Sequence, residues 1–312
     1  MEFRKNSNIE IKDFKDLITV MYVLIDDLYQ ETIPDEIKYR KQWHRSILSD
    51  SEVITIAIAG EIMTIDSENA WYRYVRKNMQ DLFPQMCDRS RFNRIRRNLM
   101  SVINQIRLAL GEKLDFTHDE YRITDSFPLH VCEFGRARFV KSFKYEGADY
   151  GVCPSKKQTY FGYKVHALCT TNGYISDILV TPASTGDRDA VWELIEQYNN
   201  HLKIIGDKGY IGLRFAQELL EERGVIMITL KRNNAKNPDP KFLRQLIFKT
   251  RRRIETSFSQ LEDQFNSQST RAKSLWGMIT RLYSKILAFN LCFAVNWILG
   301  KNDIARIKAL MF

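Results

Sequence analysis

The first third of the chain repeats apolar residues at the spacing of an α-helix. In the stretch IEIKDFKDLITVMYVLIDDLYQE, the apolar positions three or four residues apart are Ile11, Phe14, Ile18, Met21, Ile25 and Leu28. This spacing predicts a helix with one apolar face. Ser49 opens a second apolar stretch and Glu52 follows it by three residues, the pattern of a helix capping box. A short helix in SENAWYRYVRKNMQDLF and a strongly basic one in RSRFNRIRRNLMSVINQIRLAL complete an all-helical domain predicted for residues 1–118.

The periodicity changes after Glu120, where apolar and polar residues alternate as they do in β-strands. The stretch YRITDSFPLHV is predicted to be a strand, and YKVHALCTT and YISDILVT flank Asn172-Gly173, a strong signal for a hairpin turn. A basic loop, GRARFVKSFKYEGADYGVCPSKKQ, connects the first strand to the hairpin. The next predicted elements are the helix GDRDAVWELIEQYNN, a short strand containing Ile204 and Ile205, the helix LRFAQELLEERG, the strand VIMITL and the helix KFLRQLIFKTRRRIETSFSQLEDQFN.

The order of these elements over residues 119–266 predicts an α/β core with a mixed five-stranded sheet. This is the element order of the ribonuclease-H-like fold, here joined to the all-helical N-terminal domain and a helical C-terminal extension. The extension, residues 267–312, is expected to pack on the core. Its longest uncharged run, ILAFNLCFAVNWILG, contains Asn290 and Asn296. It is also shorter than the roughly 18 residues of a membrane-spanning helix, so a buried core helix is predicted.

Lysine and arginine outnumber the acidic residues by 47 to 38, which gives a formal charge of +9. Such an excess suits a polyanionic partner, either nucleic acid or an anionic membrane surface. The first residues, MEFRKNSNIEIKDF, lack the apolar segment of a secretory signal, and the five cysteines form no CxxC pair, so a reducing cytoplasm is expected. A zinc site built from His130, Cys132, Cys153, His166 and Cys169 is an alternative, but the paired spacing of zinc ligands is missing from the sequence.

Three acidic residues fall where the ribonuclease-H-like element order would gather them. Asp125 lies within the first strand, Asp207 follows the fourth strand between two glycines, and Glu255 lies on the last helix. In this fold the first and fourth strands end side by side and the last helix packs across them. Carboxylates gathered there could hold two divalent ions for an in-line displacement at a phosphodiester, and Mg²⁺ prefers such oxygen ligands. The alternatives are a turn or cap for Asp207 and a surface ion pair for Glu255.

Basic residues beside these acids are candidate contacts for phosphate. Lys208 follows Asp207 directly, in a stretch whose glycines allow a sharp turn and a close approach to a phosphate. Arg251 precedes Glu255 by four residues, which places both on one face of a helix. Both cations could offset phosphate charge.

The basic N-terminal helix carries a second set of candidate contacts. Arg94 and Arg97 are three residues apart, and Arg91 lies one turn earlier. Their shared face could lie along phosphates or in a major groove. A solvated basic surface is the alternative.

An ordered set of motifs spans nearly the whole chain. In order, they are LSDSEVITI, LFPQMCDRSRFNRIRRNL, ITDSFPLHVCEFGRAR, YGVCPSKKQTYFGYKVHALCT, LVTPASTGDRDA, IIGDKGYIG, RRRIETSFSQLEDQFN and TRAKSLWGMITRLYSKILAFNLC. Together they resemble the DDE transposases of bacterial insertion sequences, most closely the insertion-sequence 982 family. The resemblance implies that Asp125, Asp207 and Glu255 form the catalytic triad and bind two Mg²⁺ ions, for which Mn²⁺ can substitute.

The same resemblance implies a function and a partner. The protein would cleave DNA at the ends of its own element and then join those ends to target DNA. Its partner would be double-stranded DNA, bound by a homodimer or a larger assembly, with the N-terminal helices recognising the ends and no membrane involved. The implied DNA contacts are Arg91, Arg94, Arg97, Lys208, Lys231, Arg232, Arg251 and Arg252.

The sequence departs from one related pattern and leaves other functions open. The insertion-sequence 4 group has a Tyr-Arg-Glu-Lys signature, which Arg251 and Glu255 match, whereas Phe248 and Glu262 stand for the tyrosine and the lysine. One alternative is a ribonuclease-H-like nuclease without strand transfer, and another is an inactive remnant that only binds DNA. Binding to a membrane surface through a basic helix is the weakest alternative.

Overall fold

The computed structural model describes residues 5, 9–40, 46–153, 157–198, 202–232 and 235–310. The chain divides into two compact units. A helical unit contains Met1–Asp115 and Asp263–Phe312, and a sheet unit contains Phe116–Glu262.

The α-helices of the described residues are distributed over both units. They are α1 (Phe14–Thr32), α2 (Asp35–Lys38), α3 (Asp50–Ile62), α4 (Glu68–Asn78), α5 (Arg89–Asn98), α6 (Met100–Lys113), α7 (Lys141–Tyr145), α8 (Asp187–Leu194), α9 (Leu213–Arg223), α10 (Lys241–Phe265) and α11 (Leu275–Ile298). The boundary between the units falls near the end of α10.

Local sequence patterns account for the first helices of the helical unit. The predicted apolar face of α1 is buried, including Ile18, Met21 and Ile25. The capping box of α3 is present, because Ser49 Oγ accepts the Glu52 N–H while the Glu52 carboxylate accepts the Ser49 N–H. Both predictions are therefore confirmed.

The basic segment after residue 88 differs from its prediction as one helix. It forms α5 and α6, separated at Leu99, whose ψ of 9° departs from helical geometry. The two helices bury different sets of residues, with Phe92 on α5 and Ile103 and Ile106 among those on α6. Apolar residues keep their helical spacing across the break, so the sequence pattern does not reveal where α5 ends and α6 begins.

The C-terminal helix α11 belongs to the helical unit. It contacts α3 and α6, and 89% of its most apolar 18-residue window is buried. Among the described residues it alone is long and apolar enough to cross a membrane, and its burial is that of a core helix, as predicted. α11 is apolar around most of its circumference and groups with the helices of the helical unit. The packing of residues 267–312 on the α/β core stays a prediction.

The sheet unit contains a mixed sheet. Its strands are β1 (Tyr121–Glu133), β2 (Asp149–Cys153), β3 (Gln158–Cys169), β4 (Ile175–Pro182), β5 (Lys203–Ile205) and β6 (Ile226–Ile228). Their order is β2-β3-β1-β5-β6, and β4 also pairs with β3. β1 is antiparallel to β3 and parallel to β5, which is parallel to β6. β2 and β4 pair with opposite halves of β3.

The described sheet has six strands, so the predicted count of five was wrong. The additional strand, β2, lies in the segment that was predicted to be a basic loop. Its outward residues Tyr150 and Val152 are large and exposed, whereas the inward residue is Gly151. A Cβ atom at Gly151 would approach Tyr160 and Ala183 to 2.8 Å. The inward position therefore requires glycine, and the sequence of β2 lacks the large apolar residue that usually marks the buried face of a strand.

The connections around the sheet follow turn chemistry. Asn172 and Gly173 form the turn between β3 and β4, and Gly224 ends α9 in the left-handed conformation. Both were predicted. α8 ends at Leu194, earlier than the predicted segment, whose last residues 199–200 lie outside the described part of the chain.

Candidate active site

Asp125 and Asp207 occupy matching positions beyond a pair of parallel residues. Ile123 of β1 pairs with Ile205 of β5, and each aspartate lies two residues further along its chain. Both aspartates keep an extended backbone. Neighbouring strands lie about 4.8 Å apart, and residues two apart share a face. The equal offset therefore places the two carboxylates side by side at the point where β5 ends.

Asp207 also begins a short turn. Its Oδ1 accepts the Gly209 N–H at 2.7 Å and caps the 3-10 helix Lys208–Tyr210. A Cβ atom at Gly206 would lie 2.9 Å from the Tyr210 ring, so the ring can pack closely only against glycine. The cap uses one carboxylate oxygen of Asp207. Asp207 can therefore cap the turn and also act as a metal ligand.

The surroundings of Asp125 disfavour its charged form. The pKa of Asp125 is raised to about 6, first by burial and also by the negative charges of Asp207 and Asp187. The Ser126 N–H, which Asp125 Oδ1 accepts at 2.8 Å, and the positive charge of Arg251 oppose this shift without cancelling it. Two acids beside Asp125 thus create a negative field that a cation would relieve.

Asp187, in the first turn of α8, is a functional candidate that the sequence reading missed. Its Oδ1 accepts a hydrogen bond from Ser126 Oγ at 3.0 Å and lies 3.4 Å from Lys164 Nζ. Lys164 Nζ also donates to the Thr185 carbonyl at 2.8 Å. The sequence signal was the acid pair in TGDRDA, which also fits an ordinary helix start.

His166 lies on β3 behind Asp187. Its ring is buried, with Nδ1 3.5 Å from Asp187 Oδ1 and Nε2 3.0 Å from Thr181 Oγ1. Burial lowers the pKa of His166 to about 4, although the charge of Asp187 opposes the shift. The histidine is therefore neutral near pH 7 and leaves the negative charge of the site in place.

Arg251 links Asp125 to the third predicted acid. Arg251 Nη2 lies 3.7 Å from Glu255 Oε1, as the four-residue spacing on α10 predicted. The Arg251 side chain is mostly buried and affects the pKa of Asp125, whereas the Glu255 side chain is 56% exposed. The structure thus brings Asp125, Asp207 and Arg251 together and connects Glu255 to them through the arginine.

The other predicted DNA contacts of the sheet unit lie on its surface. Lys208, Arg232 and Arg252 are exposed. Lys231 is also exposed, and its loop is closed by the Lys231 N–H, which donates to Asp239 Oδ2 at 2.7 Å. These positions are compatible with contact to a large polyanion.

The three predicted arginines of the helical unit lie on α5. Arg94 and Arg97 are exposed, and Arg91 is half-buried. The neighbouring Arg96 is instead buried and pairs with Glu68. Alternate arginines of this helix therefore differ in role, with Arg96 held in the interior and Arg94 and Arg97 presented to solvent.

Asp125 and Asp207 suit a hard divalent cation by their donor chemistry. Both offer carboxylate oxygens, and a bound cation would relieve the repulsion by Asp207 and Asp187 that adds to the effect of burial on the pKa of Asp125. Within the described ranges, no three His, Cys, Asp or Glu side chains are grouped so that they could hold one metal ion. The fit to a cation therefore rests on the aspartate pair, and Glu255 does not join it in this conformation.

Comparison with known protein families gives one result for this region. A family model described as a transposase DDE domain matches residues 117–291, which is more than half of the chain. The match includes β1, β5 and α10, which carry Asp125, Asp207 and Glu255. No curated protein matches the chain.

Proposed function

The chain belongs to the transposase DDE domain family, and from this premise we propose that it cleaves DNA at the ends of an insertion sequence and joins those ends to target DNA. One observation carries the proposal for the site. Asp125 and Asp207 lie side by side, each two residues beyond the paired Ile123 and Ile205 of the parallel strands β1 and β5, and the charge of Asp207 contributes to the raised pKa of Asp125. A pair of carboxylates that repel one another suits a site that accepts cations and a phosphodiester.

The proposed cofactor is Mg²⁺, as two ions, with Mn²⁺ as a substitute. Asp125 and Asp207 would hold it, and Glu255 is the third proposed ligand. When bound, such ions stabilise charge on the attacking and leaving oxygens of an in-line displacement. The same carboxylates would serve both reactions, since hydrolysis at an element end and attack by the freed 3′-hydroxyl are displacements at phosphorus.

The basic residues of the sheet unit have separate proposed roles. Arg251 would offset negative charge at the reacting phosphate, because its side chain is already directed toward Asp125 and Glu255. Lys208 and Arg252 are exposed on the elements that carry Asp207 and Glu255, and would hold the DNA backbone. Lys231 and Arg232 follow β6 and would extend this contact.

We further propose the finer assignments that the motifs suggest. The sheet unit is a ribonuclease-H-like core, which the adjacency of β1 and β5 supports. Residues 1–118 would be the DNA-binding domain, and the exposed Arg94 and Arg97 on α5, with Arg91, would recognise element ends. Both ends must be held together for joining, so a homodimer or larger assembly is expected. Within the family, the insertion-sequence 982 group is the proposed relative.

A cleavage and joining assay tests this function. The substrate is labelled DNA that carries the repeats flanking the gene, incubated with the full chain and Mg²⁺ or Mn²⁺, with chelator as the control. Nicking at the repeat ends followed by joined products would support the proposal. Cleavage without joining would indicate a nuclease, and binding without cleavage would indicate an inactive remnant. Full activity in chelator would contradict the metal-dependent site.

A further inference from the structure

A surface on the sheet unit displays aromatic rings and cations together, outside the site around Asp125. We call it the aromatic–basic surface. Its residues are Phe134, Arg136, Arg138, Phe139, Lys141, Lys144, Tyr145 and Tyr150, which are all exposed. The exposed fractions of Phe134, Phe139 and Tyr145 are 59%, 70% and 88%. Large apolar side chains at such exposure indicate an interaction surface when they are grouped.

The backbone beneath this surface is anchored. Ala137 and Phe143 are both only 4% exposed, and Ala148 is 8% exposed. The Phe143 ring packs edge-on against Tyr163 of β3, with ring centroids 6.5 Å apart. Buried residues therefore alternate with exposed rings in this segment, and the rings are displayed by a fixed support.

The rings are arranged so that further flat groups can stack beside them. The Phe134 and Tyr150 ring centroids are 5.4 Å apart, and Tyr150 continues the series to Phe161 at 5.2 Å. The Arg138 guanidinium lies 4.7 Å from the Phe139 ring centroid, a cation–π arrangement. Phe134 and Phe139 keep most of their ring surface accessible beside these partners.

The charge of the segment selects the kind of partner. Between Phe134 and Tyr145 the chain has four cations, Arg136, Arg138, Lys141 and Lys144, and no acidic residue. An apolar protein partner would leave these cations without partners, whereas a nucleic-acid strand offers phosphates to them. The bases of a duplex are stacked on one another, so exposed protein rings can stack only on bases that are unpaired.

We propose that the aromatic–basic surface binds an unpaired stretch of DNA strand, with bases stacked on Phe134, Phe139 and Tyr150 and phosphates held by the neighbouring cations. This rests on the proposed function, in which a DNA strand is cut and its freed end is joined to target DNA. The surface begins directly after β1, whose last residue, Glu133, is eight residues beyond Asp125, about 26 Å away at the rise of a strand. That distance corresponds to about seven or eight base pairs of duplex. The bound strand therefore flanks the cleaved bond and does not contain it.

Anisotropy measurements with a labelled 20-nucleotide oligothymidylate and a labelled duplex of equal length test this proposal. The wild-type chain binds the single strand, and Phe134→Ala with Phe139→Ala weakens that binding at least about tenfold. Duplex binding, which depends mainly on phosphate contacts, changes less than twofold by our estimate. Phe139→Trp retains single-strand affinity, whereas Phe139→Leu, which keeps apolar area without an aromatic face, loses it.

Phe242→Ala is the matched control, because Phe242 is also 70% exposed in the sheet unit but lies on α10. It leaves single-strand affinity unchanged. Arg136→Gln with Lys144→Gln lowers the slope of log affinity against log salt by about 0.7 for each lost phosphate contact. Thermal melting of every variant shows that each one folds.

Three results would overturn the proposal. The first is equal single-strand affinity of the wild type and the Phe134→Ala, Phe139→Ala variant, and the second is an equal loss in Phe242→Ala. The third is a change in oligomeric state in sedimentation with unchanged DNA affinity, which would assign the surface to contact between copies of this chain. Cleavage of element ends is scored separately: a wild type that binds the single strand but cuts no ends contradicts the proposed function and not this surface.

Discussion

Glu61 of the helical unit and Asp125 of the sheet unit are both carboxylates withdrawn from water, yet their pKa values move in opposite directions. Burial alone would raise the pKa of Glu61, but the charges of Lys285 and Arg281 outweigh burial and the pKa is lowered. The pKa of Asp125 is raised to about 6, first by burial and also by the nearby acids Asp207 and Asp187. The difference lies in the neighbouring charges.

The charges around Glu61 are matched within the protein. Lys285 Nζ lies 2.5 Å and Arg281 Nε 3.1 Å from its carboxylate oxygens. Asp66 adds a second acid to the same two cations, at 3.5 Å from Arg281 and 3.8 Å from Lys285. In this network every charge has a partner within the protein. It connects α3 to α11 and requires no bound ion.

The charges around Asp125 are not matched in this way. Among its neighbours, Asp207 and Asp187 are negative and Arg251 is positive. Lys164 lies 3.4 Å from Asp187, and Arg251 also pairs with Glu255, so the acids still outnumber the cations. The folded state therefore retains repulsion that a ligand can relieve. Both carboxylates are withdrawn from water, so the neighbouring charges distinguish a structural carboxylate from one that is positioned for a cation.

The largest expected effect is on catalysis. Asp125→Asn and Asp207→Asn each lower DNA cleavage roughly a thousandfold, because each removes a carboxylate that would hold the cation. Single-turnover cleavage at saturating DNA measures the loss, and gel-shift titration shows that DNA affinity is retained. Glu218→Gln, on the exposed side of α9, is the control and cuts at the wild-type rate. A fully active Asp207→Asn would reduce Asp207 to the cap of a turn.

The next effect is on the stability of the helical unit. Glu61→Gln lowers the free energy of unfolding by about 3 kcal/mol, because Lys285 and Arg281 are left buried without their carboxylate. Urea denaturation measures the change. Glu31→Gln, which breaks the more exposed pair with Lys113, costs much less, because solvent screens that pair. Equal effects of the two variants would show that the buried network is not structural.

A smaller effect of the opposite sign is expected in the sheet unit. The pKa of Asp125 rises from 3.8 to about 6 on folding, so ionisation costs free energy in the folded state alone. The cost is full above about pH 6 and absent below about pH 4, where the carboxyl is protonated in both states. After allowance for its partial exposure, Asp125→Asn is expected to stabilise the protein by about 1–2 kcal/mol at pH 7.5.

Thermal and urea unfolding between pH 4 and pH 7.5, without divalent ions, measure this prediction. The stability gained by Asp125→Asn disappears as the pH falls toward 4. Glu218→Gln shows no comparable dependence on pH. A variant less stable than the wild type at pH 7.5 would mean that Asp125 is held by favourable contacts, as Glu61 is.

The smallest effect separates two kinds of arginine. Arg251→Ala slows cleavage about tenfold, equivalent to about 1.4 kcal/mol, with little loss of DNA affinity, because its charge acts at the reacting phosphate. Arg94→Ala with Arg97→Ala weakens binding and lowers the salt slope by about two units, yet cuts at a near-normal rate when DNA saturates. Gel shifts at several salt concentrations and single-turnover cleavage distinguish them. If the two variants lose affinity and cleavage rate to the same extent, Arg251 does not differ in role from Arg94 and Arg97.

The sequence was sufficient for the positions of the two aspartates. A strand pattern before each residue, with the short apolar pair Ile204-Ile205 before Asp207, predicted the strands β1 and β5. The parallel register then follows from the element order. Period-two alternation and glycine-bounded turns are local signals, so they survive in a single sequence.

The sequence did not predict elements and contacts whose residues have an ordinary local explanation. β2 was missed because its inward residue is Gly151, whose small size is required by Tyr160. Asp187 was missed because an acid in the first turn of a helix has an ordinary explanation in the helix dipole. Its contact with Ser126 depends on the meeting of α8 and β1, which no local pattern encodes.

The melting temperature during a titration with Mg²⁺ or Mn²⁺ at pH 7.5 determines whether Asp125 and Asp207 form a cation site. If Asp125 and Asp207 form a cation site, the wild type is stabilised as the ion concentration rises, since the ion binds the folded state. The stabilisation is lost in Asp125→Asn and Asp207→Asn and retained in Glu218→Gln. An equal rise in melting temperature for wild type and both aspartate variants would show that Asp125 and Asp207 do not form the cation site.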